Sequence, residues 1–304
     1  MKRLLDCNSS DFKNFSREDL LDSIRKSEGR TLVCETIGVT QPMLFDVTNA
    51  EFVTAMGTDM IILNLFDVKK PVIKGLPDVP AENIIKELKH LTGRPIGVNL
   101  EPVEIMNSSP SLFQMTEGRT ANLDNVANLI DMGADFIVLT GNPDTGVKNK
   151  SITDSLHSIR KELGNGMLLI AGKMHGSGIL SESGEHIVTK EDIKAFVEAG
   201  ADIILIPAPG TVPGITMEYV KELVSYAHNQ NVLTMTSIGT SQEGADISTI
   251  REIALMCKMT GTDLHHLGDS GYIGMPLPEN ITAYSTAIRG VRHTYHRMAA
   301  SINR

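Results

Sequence analysis

Four times this chain writes glycine, then alanine or threonine, then aspartate, then an apolar run: GTDMIILN from Gly57, GADFIVLTG from Gly133, GADIILIPA from Gly200 and GTDLHHLG from Gly261. Each copy follows a stretch whose apolar residues recur at helical spacing: VTNAEFVTAM, NLDNVANLIDM, KEDIKAFVEA and STIREIALMCKM. The glycine therefore reads as the left-handed residue that ends a helix, and the aspartate as the turn into a buried strand. Successive copies begin about 60–80 residues apart, twice the roughly 30 residues of one strand–helix unit, so each gap must hold another strand and helix. The gaps supply them in TLVCET near Thr31, RPIGVNLE near Arg94, MLLIAGK near Met167 and NVLTMTS near Asn231. Strands and helices thus alternate eight times from Thr31 onward. That pattern predicts an α/β fold, a single (β/α)8 TIM barrel rather than an open sheet.

The segment SREDLLDSIRKSEG before the first strand predicts an additional N-terminal helix that closes the N-terminal mouth. Residues 1–30 then form a helical cap and 31–304 the barrel, within one domain spanning 1–304. Helix starts are marked by the capping pairs Ser16 with Asp19, Ser151 with Asp154 and Thr189 with Asp192. A chain of 304 residues, 41% hydrophobic and 21% charged, suits one large core without a linker. The opening thirty residues lack a signal-peptide core and no apolar run reaches membrane length, so a soluble, cytoplasmic protein with no membrane contact is expected. A net charge of -9, with basic residues gathered only in IRGVRHTYHRMAASINR, argues against a nucleic-acid partner. That basic end reads as one long helix whose cations answer the macrodipole or form a contact surface, and a homo-oligomer is expected. Cys7, Cys34 and Cys257 have no CxxC spacing; Cys34 reads as a buried, inert thiol.

Barrels of this class carry their active sites at the C-terminal ends of the strands, which makes strand endings the informative positions. In PIGVNLE, Ile96, Val98 and Leu100 must pack outward, which turns Gly97, Asn99 and Glu101 inward. The same reading of LLIAGK puts Leu169, Ala171 and Lys173 inside, and Val33 with Glu35 completes the set. Glu35, Glu101 and Lys173 are expected to converge on one polar layer, with Lys173 as amine nucleophile or base and the two carboxylates tuning it. A structural ion pair is the alternative. His175, two residues beyond Lys173, and His266 are candidates to pass protons.

For substrate binding the candidates are Asn64, Asn99, Thr140, Asn142 and Ser237 at strand ends. They are joined by Gly239, Thr240, Gly268, Asp269, Ser270 and Gly271 in the loops after the seventh and eighth strands, where the amides would form a nest for a phosphate or carboxylate. The expected partner is a small anionic metabolite. No metal site is firm, since HxH and HExxH spacings are absent, but Glu101, His266 and Asp269 are candidate ligands for Mg or Mn.

The opening MKRLLDCNSSDF, the central TGNPDTGV and the ending HHLGDSGYIG…PENI…IRGVRHTYHRMA resemble an uncharacterised bacterial TIM-barrel family grouped with phosphoenolpyruvate phosphonomutase and isocitrate lyase-like enzymes. The phosphonomutase family holds Mg through a DxDxG motif on its third strand, and the matching segment here is GVNLEP, so its catalytic residues do not transfer. What the resemblance implies is a small oxoacid or sugar acid bound at the strand C-termini. Together with the residues it predicts a lyase or isomerase, aldolase-like or enolate-forming, on a small phosphorylated or carboxylated metabolite. The alternatives are a Mg- or Mn-dependent phosphonomutase-like lyase or hydrolase, and a non-catalytic metabolite-binding subunit.

Overall fold

The computed structural model describes residues 1–103, 115–141, 145–176 and 178–304. Eight parallel strands run in chain order around a closed barrel: β1 (Thr31–Ile37), β2 (Met60–Asn64), β3 (Ile96–Leu100), β4 (Phe136–Leu139), β5 (Leu168–Gly172), β6 (Ile203–Pro207), β7 (Leu233–Ile238) and β8 (Leu264–Leu267), with β8 pairing back onto β1. Helices α1 (Ser9–Phe12) and α2 (Arg17–Lys26) precede the barrel. One helix then follows each strand: α3 (Asn49–Ala55), α4 (Ile84–Thr92), α5 (Leu123–Met132), α6 (Asn149–Leu163), α7 (Lys190–Glu198), α8 (Met217–Asn229), α9 (Ile247–Thr260) and α10 (Pro278–Ala299). The (β/α)8 expectation is met, and no helix among the described residues is long and apolar enough to cross a membrane.

The repeated Gly-Ala/Thr-Asp has a physical role at each of its four sites. Gly57, Gly133, Gly200 and Gly261 take φ values of 100°, 87°, 103° and 85°, which end the preceding helices at low steric cost. The aspartates then clasp the entry of the preceding odd strand. Asp59, Asp135, Asp202 and Asp263 accept the N–H of Leu32, Ile96, Leu169 and Thr234 respectively, each at 2.8 Å. Their own N–H groups donate to the carbonyls of the same four residues at 2.8–3.2 Å. Three clasps have a counter-charge, Arg289 and Arg297 on Asp59, Lys89 on Asp135, and Arg17 and Arg160 on Asp202, and the fourth has the His228 imidazole 2.8 Å from Asp263. Each β–α–β pair is thus stitched to itself at the N-terminal rim.

Inside the barrel Val33, Met60, Ile62, Phe136, Val138, Leu168, Ile170, Ile203, Leu205, Met235 and Leu264 pack together and onto Leu4, Cys7, Phe12, Leu20 and Ile24 of the N-terminal segment. That segment plugs the N-terminal mouth, which leaves the opposite end for chemistry. Outside, Ile96, Val98 and Leu100 face the helices with Val126 and Leu129, as the alternation of β3 predicts. The alternation read for β5 is reversed. Leu168 and Ile170 lie in the interior cluster while Leu169 and Ala171 pack against the helices. Both faces of β5 are apolar, so hydrophobicity could not choose between them.

Gly97 makes room for the interior floor: a Cβ there would stand 2.2 Å from the Phe136 ring on the neighbouring strand. Gly97→Ala is expected to cost about 1–3 kcal/mol through overpacking. A shift of the urea midpoint at unchanged slope measures it, and an unshifted midpoint would mean that the ring has somewhere to go.

The capping boxes of Ser16 with Asp19 and Thr189 with Asp192 form. Ser151 with Asp154 does not, because α6 begins earlier, at Asn149, and Asp154 instead pairs with Lys150 at 2.5 Å. The basic end is also not one continuous surface helix. Gly290 (φ 73°, ψ 167°) breaks α10, and Arg289 and Arg297 are buried on Asp59 and on the carbonyls of Gly57, Leu4 and Cys7. Cys34 is buried, and burial pushes its thiol up to about 12.

Candidate active site

The four clasp partners Leu32, Ile96, Leu169 and Thr234 are equivalent by the repeat, so the residue three places beyond each reaches the same interior level. Those residues are Glu35, Asn99, Gly172 and Ser237. Counting five places from the aspartates of the even strands brings Asn64, Thr140, Pro207 and Gly268 to the rim, with His266, three places beyond Asp263, one level below. Four strands therefore deliver Glu35, Asn99, Ser237 and His266 to one end of the barrel, as the spacing of the repeat requires.

Contacts among them make a chain. Ser237 Oγ lies 2.5 Å from His266 Nδ1, and His266 Nε2 lies 3.5 Å from Glu35 Oε2. Asn64 donates to Asp269 Oδ2 at 2.8 Å and accepts from Asn99 at 3.1 Å. Glu243, in the loop after β7, accepts the Ser270 N–H at 3.1 Å, and Asp269 accepts the Gly271 N–H at 2.8 Å. The side chains are withdrawn from water: 16% of Glu35 is accessible, 6% of His266 and 4% of Glu243.

Burial sets their protonation. It raises Glu35 to about 8, helped by the negative charges of Glu243 and Glu101. It raises Asp269 to about 7, aided by Glu35 and opposed by Asn64, the Gly271 amide and His266. Glu243 is raised by burial and by Asp269. His266 is lowered to about 4 by burial, against the pull of Asp269 and Glu243. At neutral pH the pair is therefore a protonated carboxyl beside a neutral imidazole, an acid and a base at one site.

Several expected site residues stand elsewhere. Lys173 is 5% exposed, but it follows the outward-facing Ala171 and ion-pairs with Glu182 of the β5–α7 loop, not between Glu35 and Glu101. Met174 takes the inward position beside Gly239. Glu101 is buried and salt-bridged to Arg119. His175 is half-buried in the same loop as Lys173, and Asn142 lies outside the described residues. Thr140 reaches the rim with its hydroxyl buried and without a hydrogen-bond partner among the described residues.

The anion nest is occupied from within. The Ser270 and Gly271 amides serve Glu243 and Asp269, Gly268 N–H donates to the Ile238 carbonyl at 2.9 Å, and Gly239 N–H to Thr211 Oγ1 at 3.2 Å; Thr240 is exposed. Nor do the candidate metal ligands assemble. Among the described residues no group of three His, Cys, Asp or Glu is arranged to hold a metal ion, and Glu101 spends its charge on Arg119. Sequence reasoning missed Glu243, Glu182 and Arg119. Glu243 was legible only as part of a Gly- and Ser-rich turn.

A family described as a domain of unknown function, DUF7916, matches residues 5–304. The chain belongs to that family. No curated protein matches it. Among solved structures it is similar to an archaeal fructose 1,6-bisphosphate aldolase, at 15% identity and a TM-score of 0.54, over 90% of this chain and 98% of that one. A Schiff-base-forming fructose-1,6-bisphosphate aldolase gives 14% identity and a TM-score of 0.54, over 90% and 97%. Thiamine phosphate pyrophosphorylase from Pyrococcus furiosus gives 14% identity and a TM-score of 0.48, over 86% and 96%. At such identities the aldolases establish for this member of DUF7916 the TIM-barrel fold alone.

Proposed function

We propose that the protein is a lyase or isomerase that moves a proton to and from a carbon next to a carbonyl, on a small carboxylated metabolite held at the C-terminal mouth. The observation that carries this is the Ser237–His266–Glu35 chain, in which the His266 imidazole and the Glu35 carboxyl lie 3.5 Å apart and burial favours the neutral form of each. His266 accepts the carbon-bound proton, with Ser237 fixing its ring. Glu35 donates its proton to the carbonyl oxygen, so the enolate is stabilised as an enol. Reprotonation at carbon, with the enol proton returning to Glu35, completes isomerisation; in a lyase reaction His266 instead takes the proton of a hydroxyl on the β-carbon, that carbon becomes a carbonyl as the Cα–Cβ bond breaks to give the same enol, and return of the proton to Cα completes the cleavage. The aldolases of the same fold cleave such a bond, and the phosphonomutase and isocitrate lyase resemblance points to the same class of oxoacid substrate.

Lys173, paired with Glu182 and one position out of the interior register, anchors the β5–α7 loop in this reading. The test is solvent-deuterium wash-in, followed by NMR across a panel of small oxoacids and sugar acids. His266→Asn should slow exchange about 100-fold or more, while Lys173→Met leaves it and borohydride traps no adduct. A borohydride adduct at Lys173, with exchange indifferent to His266→Asn, would replace this mechanism with a Schiff base.

A further inference from the structure

Charge at the mouth does not balance. The cations Arg119 and Lys173 are spent on Glu101 and Glu182. Asp269 and Glu243 receive neutral amide dipoles, from Gly271 and Ser270 of the loop after β8 and, for Asp269, from the Asn64 side chain, and neither has a cationic partner among the described residues. Among the described residues, the buried groups left unsatisfied there are two pure acceptors and the hydroxyls of Thr140 and Ser270, which can accept as well as donate. Glu243 Oε2 and Asn99 Oδ1 have no hydrogen-bond partner among the described residues, although both residues are only 4% exposed. Asn99 reaches Asp269 through Asn64, and Glu243 is hydrogen-bonded to the amide of Ser270, the residue after Asp269, so the three side chains are neighbours. A buried acceptor without a donor is costly, and such exceptions mark places where a missing group belongs.

An anionic group brought to this corner would add like charge and bring no proton. A metal ion would need three assembled ligands, which the described residues do not present. An ammonium brings one positive charge and three N–H donors. We infer that the substrate carries a primary amino group and that Asp269, Glu243 and Asn99 bind it as an ammonium. This rests on the mouth being the active site and names the class of compound it takes: a small amino-bearing metabolite, with its amine a short distance from the carbon that Glu35 and His266 serve.

The test uses matched pairs that differ by amine against hydroxyl, namely serine with glycerate, 2-aminoethanol with ethylene glycol, and glucosamine with glucose, in calorimetric and thermal-shift titrations of the intact protein. Magnesium chloride, manganese chloride and sodium phosphate are titrated alone. At least one amine should bind about 30-fold or more tightly than its hydroxyl partner, and Glu243→Gln and Asp269→Asn should each erase that preference. The inference is overturned if no amine binds, if amines bind equally well to both variants, or if magnesium or manganese alone gives a shift that Glu243→Gln removes. It is also overturned if phosphate or the hydroxyl compounds match the amines. In that case loss of their binding in Glu35→Gln would keep the mouth as the site and reverse only its charge preference. Failure of the proton-transfer reading shows separately, as absence of deuterium wash-in.

Discussion

Asp59→Asn is expected to destabilise the protein by about 3–5 kcal/mol, the cost of breaking a buried ion pair from one side. Asp59 is fully buried, accepts the Leu32 N–H, and is paired with Arg289 and with Arg297 at 2.7 Å. Arg297 in turn donates to the Leu4 and Cys7 carbonyls, and Arg94 donates to the Thr58 and Arg297 carbonyls. Removing one negative charge therefore strands three buried guanidiniums and loosens the N-terminal plug along with α10. Asparagine keeps the volume and one acceptor, so the loss reports charge and not a cavity. Asp135→Asn is the internal control: its partner Lys89 is partly exposed, and solvent screening makes the cost smaller. Urea unfolding of both variants measures the difference, and a cost below about 1 kcal/mol for Asp59→Asn would remove the cluster from the stability argument.

The second large effect is the dependence of stability on pH through Glu35. Its carboxyl titrates near 8 when folded against an ordinary 4.5, so the folded state keeps a proton that the unfolded chain has released. Stability from this group is complete below about 4.5 and is lost as pH rises to about 8, by a few kcal/mol. Asp269 acts with the same sign from 3.8 to about 7. His265 and His266, both buried and lowered to about 4 from 6.5, act oppositely, adding stability as pH rises from about 4 to 6.5. The terms offset one another below about 6.5 and leave a net decline above it. Glu35→Gln cannot ionise, so its advantage over the parent should widen steadily from pH 5 to 8.5 in urea unfolding. Parallel profiles for the two proteins would mean that Glu35 titrates normally.

The barrel was legible because its repeat states the same instruction four times, each glycine ending a helix and each aspartate opening a strand. The inward face of β3 was legible because Gly97 and Asn99 contrast with Ile96 and Val98. β5 has no such contrast, and the error there turned Lys173 into the barrel interior between Glu35 and Glu101. The repeat itself held the correction, since aligning Leu169 with Leu32 and Ile96 sets its parity without hydrophobicity. Glu35, Asn99, Ser237 and His266 were found from strand endings. Glu243, and Glu182 and Arg119, which pair with Lys173 and Glu101, lie in the segments between strands and helices, where no period marks which side chain turns inward. The expected anion nest failed for a related reason: glycine- and serine-rich loops show available amides, and nothing local reveals that Asp269 and Glu243 fold back to take them.

The aspartate clasps also change how the chain bears the entropy of becoming a ring. Joining β8 to β1 brings Leu32 beside His265, across nearly the whole barrel. The clasps instead span 27, 39, 33 and 29 residues. A loop roughly eightfold shorter is cheaper to close by about 2 kcal/mol. The long closure then joins four segments whose own ends are already fixed, so little disorder remains to be lost when the last strand meets the first.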